Sequence, residues 1–157
     1  MQRVSKDLPL SELTLRRYEK PADLTGRDLV KRLCLSLGLL QPGDSRDVVV
    51  DVFMVLLEAR KNKEELESEV IRDRVIEMRK RHNLSQLGIA HSNVRRQLKR
   101  LKDLFLVENN ITKYRIPEFL PLSEVFRDKG ESFLLNSILV RVREYVEQVD
   151  KDFSKIN

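Results

Sequence analysis

Residues 88–116 read GIAHSNVRRQLKRLKDLFLVENNITKYRI and join a basic run to two short apolar segments that asparagines separate. At 100° per residue, the apolar side chains of the run fall on one stripe, which predicts an amphipathic helix over residues 91–105. The segments LVE and TKYRI are typical of short strands, and the Asn-Asn pair between them predicts a tight turn. The stripe consists of Val94, Leu98, Leu101 and Phe105.

The polar side of this predicted helix is strongly basic. A solvated helix face is one interpretation of it. The charge distribution favours a phosphate-binding surface instead, because residues 72–102 hold ten Lys or Arg and two acids, a net charge of +8 in a chain of net charge +5. The candidate nucleic-acid contacts on this helix are Ser92, Asn93, Arg95, Arg96, Lys99 and Arg100.

The pattern resembles the winged helix-turn-helix family over residues 44–117. In that family the recognition helix shows a hydroxyl residue, then Val, then two leucines, and it leads into a β-hairpin called the wing. One position departs from the family: Phe105 stands where glycine is usual. Phenylalanine disfavours a left-handed helix cap, so we expect a different exit from the helix. The matching residues are Ser92, Val94, Leu98, Leu101, Leu106, Val107, Tyr114, Arg115 and Ile116.

The resemblance implies that the helix over residues 91–105 enters the DNA major groove while the wing touches the backbone. The implied wing contacts are Asn109, Asn110 and Lys113. Arg79, Lys80 and Arg81 end the preceding helical pattern and suit backbone phosphates, although they also complement the negative C-terminus of that helix.

Helical spacing extends to both sides of this stretch. Residues 27–40 carry a leucine stripe that Gly38 is expected to end. A central buried helix is expected after the candidate caps Asp44 and Ser45, because residues 48–57 are apolar nearly all round. We therefore predict a mainly α protein with three helices and a hairpin wing. Its expected parts are an arm and helix over 1–43, a winged-helix domain over 44–117 and a C-terminal helical extension over 118–157, with further helices over 64–81 and 131–153.

The predicted C-terminal helix carries an apolar seam with steps of 3, 4, 3 and 4 residues, which is coiled-coil spacing. Two partners for this seam stay open: the chain's own helix over 27–40, or the same helix of a second copy. The second alternative makes the protein a homodimer, as winged-helix proteins often are. The seam residues are Leu135, Ile138, Val142, Tyr145 and Val149.

Several classes of function are disfavoured by composition. The single cysteine, Cys34, lies between two leucines, which predicts a buried thiol and a reducing, cytoplasmic environment. His82 and His91 are too few for a metal site. No Gly-rich phosphate loop or nucleophile elbow occurs, so we expect neither an enzyme nor a cofactor. No apolar run approaches the ~20 residues that span a membrane, and no membrane partner is expected.

The resulting hypothesis is a sequence-specific double-stranded DNA-binding protein, a transcriptional regulator. One alternative is a winged helix used as a protein-interaction module in a larger nucleic-acid assembly. A nonspecific nucleic-acid-binding protein is the other. The +8 segment favours direct nucleic-acid contact over the first alternative, and residues 1–22 are left without a role.

Overall fold

A computed structural model of the protein describes residues 7–154, and its architecture is mainly helical with a small three-stranded antiparallel sheet. The first six residues of the predicted arm and the last three of the predicted extension lie outside the described residues. The elements are α1 Gly26–Ser36, α2 Val48–Lys61, β1 Leu66–Glu67, α3 Ser68–Arg81, α4 His91–Asp103, β2 Glu108–Asn110, β3 Lys113–Arg115, a 3₁₀ turn Pro117–Phe119, α5 Leu122–Val125, a π-helix Phe126–Leu135 and α6 Asn136–Phe153.

The mainly α prediction is confirmed, and the helices are somewhat shorter than predicted. Helix α1 ends at Ser36 because Gly38 takes a positive φ of 71° just beyond it. The expected caps Asp44 and Ser45 are wrong, since α2 begins at Val48 with Asp47 as its N-cap residue. The short strand β1 was not predicted from the sequence.

Helix α2 lies at the centre of the core and packs against α1, α3 and α4. Val50, Val52 and Phe53 are fully buried, which confirms the predicted central buried helix. Leu56 and Ala59 extend the same contact toward the end of the helix. Because α2 is covered on several sides, its apolar residues surround the axis and do not form a single stripe.

The hairpin differs from the prediction at its turn. Asn109 pairs with Tyr114 and Asn110 with Lys113, so the two asparagines belong to β2 and the turn consists of Ile111 and Thr112. The predicted Asn-Asn turn is therefore wrong. The register places Glu108 opposite Arg115, whose Nε donates to Glu108 Oε2 at 2.7 Å. Strand β3 is central in the sheet order β1-β3-β2.

The exit from α4 also differs from the expectation. Phe105 has a φ of 62°, its N–H donates to Lys102 O at 2.9 Å, and the N–H of Leu106 donates to Leu101 O at 3.0 Å. This is a Schellman motif with phenylalanine in the left-handed position, so the expected departure from a left-handed cap is wrong. The ring of Phe105 meets Phe133 edge-on at a centroid distance of 5.6 Å, a contact that offsets the backbone strain.

The N-terminal arm, which the sequence left without a role, is fastened to the end of α1. The N–H of Arg16 donates to Ser36 O at 2.8 Å. Its guanidinium donates to Leu35 O at 2.8 Å and to Leu40 O at 3.1 Å, and it also bonds the side chain of Gln41. Arg16 thus gives a partner to Ser36 O at the end of the helix and a second donor to Leu35 O, which also accepts from the N–H of Gly38.

The last helical element runs from α5 through the π-helix into α6. Gly130 is buried in the π-helix, where a Cβ would lie 2.7 Å from the Phe126 ring. No residue of α6 is buried, and Val142, Tyr145 and Val149 are exposed by 51, 69 and 54%. The alternative in which the seam packs on the chain's own α1 is therefore wrong. Within residues 7–154, no helix combines the length and the apolar character needed to cross a membrane.

Candidate nucleic-acid interface

Helix α4 has a buried side and an exposed basic side. Val94, Leu98 and Leu101 are buried, which confirms most of the predicted apolar stripe, whereas Phe105 is half-buried beyond the end of the helix. The structure brings together on the solvent-facing side the exposed residues Ser92, Arg95, Arg96, Lys99 and Lys102.

Asn93 supports this face from its edge. Its Nδ2 donates to Gly88 O at 2.6 Å, and its Oδ1 accepts from Arg96 Nη2 at 2.8 Å and from Gln97 Nε2 at 3.0 Å. The half-buried amide therefore holds the linker before α4 and orients Arg96. Contact of Asn93 with a base would require these bonds to break.

Two further basic residues of α4 have partners within the chain. Lys99 pairs with Asp103 at 3.0 Å, and both side chains are largely exposed. Arg100 is half-buried and donates to Gln97 Oε1 at 2.8 Å and to Gly38 O at 3.2 Å. Arg100 thus ties α4 to the segment after α1, while Lys99 stays on the solvent-facing side.

Arg79 lies in the interior, so its predicted contact with backbone phosphate is wrong. It donates to Asp47 Oδ1 at 3.0 Å, to Asp51 Oδ2 at 2.5 Å and to Ser85 O at 2.6 Å. Arg27 binds the same two carboxylates, at 3.1 Å to Asp47 and 3.0 Å to Asp51. The residues Arg27, Asp47, Asp51 and Arg79 form a buried ion cluster that joins α1, α2 and α3.

The charges of this ion cluster hold each other in their ionised forms. Burial alone would raise the pKa of Asp47, but the hydrogen bonds and charges of Arg79 and Arg27 outweigh burial and lower it. Burial would likewise lower the pKa of Arg27, but its bonds to Asp51 and Asp47 raise it. Each guanidinium of the ion cluster already binds both carboxylates, and the half-buried Lys31 also places its Nζ 3.7 Å from Asp47 Oδ2, so neither guanidinium is available to an outside anion.

The other predicted phosphate contacts stay exposed but do not share one groove. Lys80 is exposed at the end of α3. Arg81 is exposed and lines a groove together with Glu58, Asp73 and Glu77, acids that oppose a phosphate there. That groove is separate from the exposed side of α4.

The hairpin places its predicted contacts unequally. Asn109 is half-buried, and its Nδ2 donates to Ile111 O at 3.2 Å across the turn. Asn110 and Lys113 are exposed and face each other at the two ends of the turn. Of the three predicted wing contacts, Asn110 and Lys113 are therefore the accessible ones.

The net charge of +8 counted for residues 72–102 overstates the available positive charge. Arg72 donates to Ile89 O at 2.6 Å, and Arg74 pairs with Glu64 at 3.2 Å, in addition to the partners of Arg79, Lys99 and Arg100. Within the described part of the chain, the basic residues of this span that form neither an ion pair nor a side-chain hydrogen bond are Lys80, Arg81, Arg95 and Lys102.

One feature near α4 was missed from the sequence. A groove of about 760 Å³ lies between residues 39–49 and the first turns of α4, and Arg46 lines it together with Arg96 and Arg100. Arg46 lies in a connection without periodicity, so no local pattern pointed to it. The ion cluster did have a detectable signal, because Asp51 interrupts the apolar run of α2 and a buried acid requires a partner.

The geometry of residues 7–154 supports neither a reactive thiol nor a metal site with three or more ligands. Cys34 is fully buried, and burial raises the pKa of its thiol to about 12, so the predicted buried thiol is confirmed and is not a reactive group. Among residues 7–154, no three metal-ligating side chains come together as a group that could hold an ion.

The exposed side of α4, with the adjoining groove and the end of the hairpin, is thus the candidate nucleic-acid interface. It combines guanidinium, ammonium, hydroxyl and amide donors on a helix whose other side is anchored in the core. Comparison of the chain with protein-family models, with curated proteins and with solved structures found no match.

Proposed function

We propose that the protein binds double-stranded DNA at specific sequences, with α4 in the major groove, and acts as a transcriptional regulator. The observation that carries this proposal is the two-sided character of α4, whose exposed donors stand opposite the buried Val94, Leu98 and Leu101. A helix with side chains is about 10–12 Å wide, and the major groove of B-DNA is about 12 Å wide.

The order of elements supports the winged helix-turn-helix part of the proposal. Three helices, α2, α3 and α4, precede a β-hairpin, as the resemblance of residues 44–117 implies. The hairpin follows α4 after a short Schellman exit, so a protein docked through α4 brings Asn110 and Lys113 near the adjoining backbone. These two residues are the proposed wing contacts.

The side chains of α4 divide into two proposed roles. Arg96 is exposed and oriented by Asn93, and a guanidinium can donate two hydrogen bonds to the edge of guanine. Arg95 and Lys102, which form no ion pair within residues 7–154, are proposed phosphate contacts. Lys99 can exchange Asp103 for a phosphate at little cost, because exposed ion pairs contribute little to stability.

A second copy of the chain is the proposed protein partner. Helix α6 has 18 residues, none of them buried, and its seam residues Val142, Tyr145 and Val149 are exposed. Leu139 and Val146 are also exposed and widen the apolar surface beside the seam. Unpaired apolar surface of this extent with coiled-coil spacing is typical of a helix-pairing interface. A two-fold dimer would read a near-palindrome with half-site centres about 10 base pairs, or a multiple of that, apart.

Binding-site selection from random duplex DNA, followed by titration of variants, tests the DNA-binding proposal. Arg96→Ala should reduce affinity for the selected site by about 1–3 kcal/mol and affinity for random DNA by much less. Lys80→Ala should weaken binding to both DNAs by similar factors if Lys80 contacts the backbone. Lys61 is exposed at the end of α2, and Lys61→Ala is the neutral control. Failure to recover a motif, or equal losses on both DNAs for Arg96→Ala, would refute sequence-specific reading by α4.

Sedimentation of matched glutamate variants tests the dimer. Val142→Glu places a charge on the seam, whereas Val140→Glu places it on the opposite side of α6, where Val140 is exposed to a similar extent. We expect the first variant to be a folded monomer and the second a dimer like the wild type. A monomeric wild type at tens of micromolar, on the order of weak association constants, would contradict the pairing of α6.

A further inference from the structure

The groove of about 760 Å³ beside α4 is lined by three arginines from two separate parts of the chain. Arg46 comes from the connection before α2, and Arg96 and Arg100 come from one side of α4. Leu39, Leu40, Val48 and Val49 form part of the same lining. The volume lies in the range of about 300–1,000 Å³ that small-molecule sites occupy.

The arginines of this groove lack acidic partners. Arg96 and Arg100 donate to neutral acceptors, the side-chain oxygens of Asn93 and Gln97, and Arg100 also to a carbonyl. Within residues 7–154, none of the three arginines forms a salt bridge. Asp44 also lines the groove, but its carboxylate accepts from the N–H of Gln41 at 3.2 Å. The lining therefore carries three positive charges against one negative charge.

The contrast with the buried ion cluster makes this surplus informative. There Arg27 and Arg79 each bind two carboxylates of the chain, so both guanidiniums already have acidic partners. Like charges gathered in one groove repel each other, so an unmatched group of arginines favours an anion supplied from outside.

Backbone N–H groups beside the groove also favour an anion. The first residues of α2, Val48 and Val49, and the start of α4 at Ala90 and Ser92 all line the groove. Neither helix has a side-chain hydrogen bond from its N-cap residue. The first N–H groups of a helix lack partners within it and carry partial positive charge, which favours an anion beside them.

We propose that this groove is a phosphate-binding site in which Arg46 and Arg100 hold the oxyanion; Arg96 joins them when the phosphate belongs to a free molecule and is left to the base edge when it belongs to DNA. Guanidinium groups bind phosphate oxygens with paired, charge-assisted hydrogen bonds, which suits this set of side chains. Two sources of this phosphate are considered. In the backbone form of the proposal the phosphate belongs to DNA beside the major groove, and this form rests on the proposed function. In the free form it belongs to a separate phosphorylated molecule, and this form does not rest on the proposed function. A free ligand would engage Arg96 and compete with DNA.

Arg46→Ala is the decisive variant, because Arg46 is exposed and makes no side-chain bond within the described residues. Inorganic pyrophosphate is the probe for the free form, titrated into the full chain by calorimetry. Selected and random DNA, titrated at several salt concentrations, probe the backbone form. Lys61→Ala is the matched control, and melting temperatures show that both variants fold.

The outcomes distinguish the two sources of the phosphate, and they distinguish failure of the phosphate site from failure of the proposed function. Pyrophosphate binding that Arg46→Ala weakens at least tenfold supports the free form. Weaker binding of Arg46→Ala to both DNAs, with a salt slope reduced by about one, supports the backbone form. If the wild type binds DNA but Arg46→Ala binds it equally well and pyrophosphate does not bind, the phosphate site is overturned while the proposed function stands. If the wild type binds pyrophosphate but not DNA, the phosphate site stands and the proposed function is overturned.

Discussion

Replacing Arg79 with alanine tests the structural role of the buried ion cluster. The substitution removes the donor to Asp47, to Asp51 and to Ser85 O at once. Asp51 is 0% exposed, so its carboxylate would lose a charged partner in a fully buried position. Both carboxylates keep the half-buried Arg27 as a partner, and Asp47 also keeps Lys31 at 3.7 Å.

The expected loss in the free energy of unfolding is large for a single side chain. Removing one partner of a buried ion pair costs about 3–5 kcal/mol, and the remaining Arg27 places this case near the lower end, at about 3 kcal/mol. For a chain of this size, 1 kcal/mol changes the melting temperature by about 2–4 °C. Arg79→Ala should therefore melt about 6–12 °C below the wild type.

Thermal unfolding followed by circular dichroism measures this difference, with Arg81→Ala as the matched control. Arg81 lies two residues further on and is exposed, so its loss should change stability by no more than about 0.5 kcal/mol. Well below its melting temperature, Arg79→Ala should keep the DNA salt slope of the wild type. Melting temperatures of the two variants within 2 °C of each other, on the order of the change expected for a surface substitution, would show that the ion cluster does not stabilise the fold.

Three other substitutions have outcomes that follow from local geometry. The lowered pKa of Asp47 stabilises the fold above the pKa of an unfolded aspartate, about 3.9, and this contribution is lost as pH falls through the folded value. The urea midpoint should therefore fall more steeply below about pH 4 in the wild type than in Asp47→Asn, and equal slopes would contradict this role. Gly130→Ala should lower the free energy of unfolding by about 1–3 kcal/mol, because its Cβ would lie 2.7 Å from the Phe126 ring. Adding Phe126→Leu to the same chain should recover part of this loss. A wild-type melting temperature for Gly130→Ala alone would contradict the contact. Lys63 is exposed with a φ of 55°, so Lys63→Gly should raise the melting temperature by about 1–3 °C, and a decrease would show that the strain is absent.

Local periodicity made the helices predictable, and α4 most of all. Its buried and exposed sides repeat every turn, so Val94, Leu98 and Leu101 were assigned to the core without knowledge of their partners. The buried position of α2 was likewise predictable from an apolar run too long for a strand. These predictions needed only neighbouring residues.

Charge was harder to predict because the partners are distant in sequence. Arg79 meets acids that precede it by 32 and 28 residues, and a count over residues 72–102 contains neither of them. The same count includes Arg74, whose partner Glu64 also lies outside that span. Local charge therefore predicted a basic region but not which of its side chains remain available.

Two turns were mispredicted because contacts between different elements outweighed the preference of the turn residues themselves. Asn109 and Asn110 favour a turn, but the strand register that pairs Glu108 with Arg115 places both asparagines in β2. Phe105 disfavours a positive φ, but its contact with Phe133, 28 residues further on, accompanies that conformation. In both cases the deciding partner lies on another element.

The π-helix before α6 makes the orientation of that helix sensitive to chain length. Deleting one residue from Phe126–Leu135 would turn the seam of α6 around its axis and shift it along that axis, by amounts on the order of the 100° and 1.5 Å that one residue of an α-helix contributes. If two copies pair through that seam, the change would reposition one α4 relative to the other. Single-residue insertions and deletions in this segment would then alter the spacing between the proposed half-sites while leaving every proposed DNA contact unchanged.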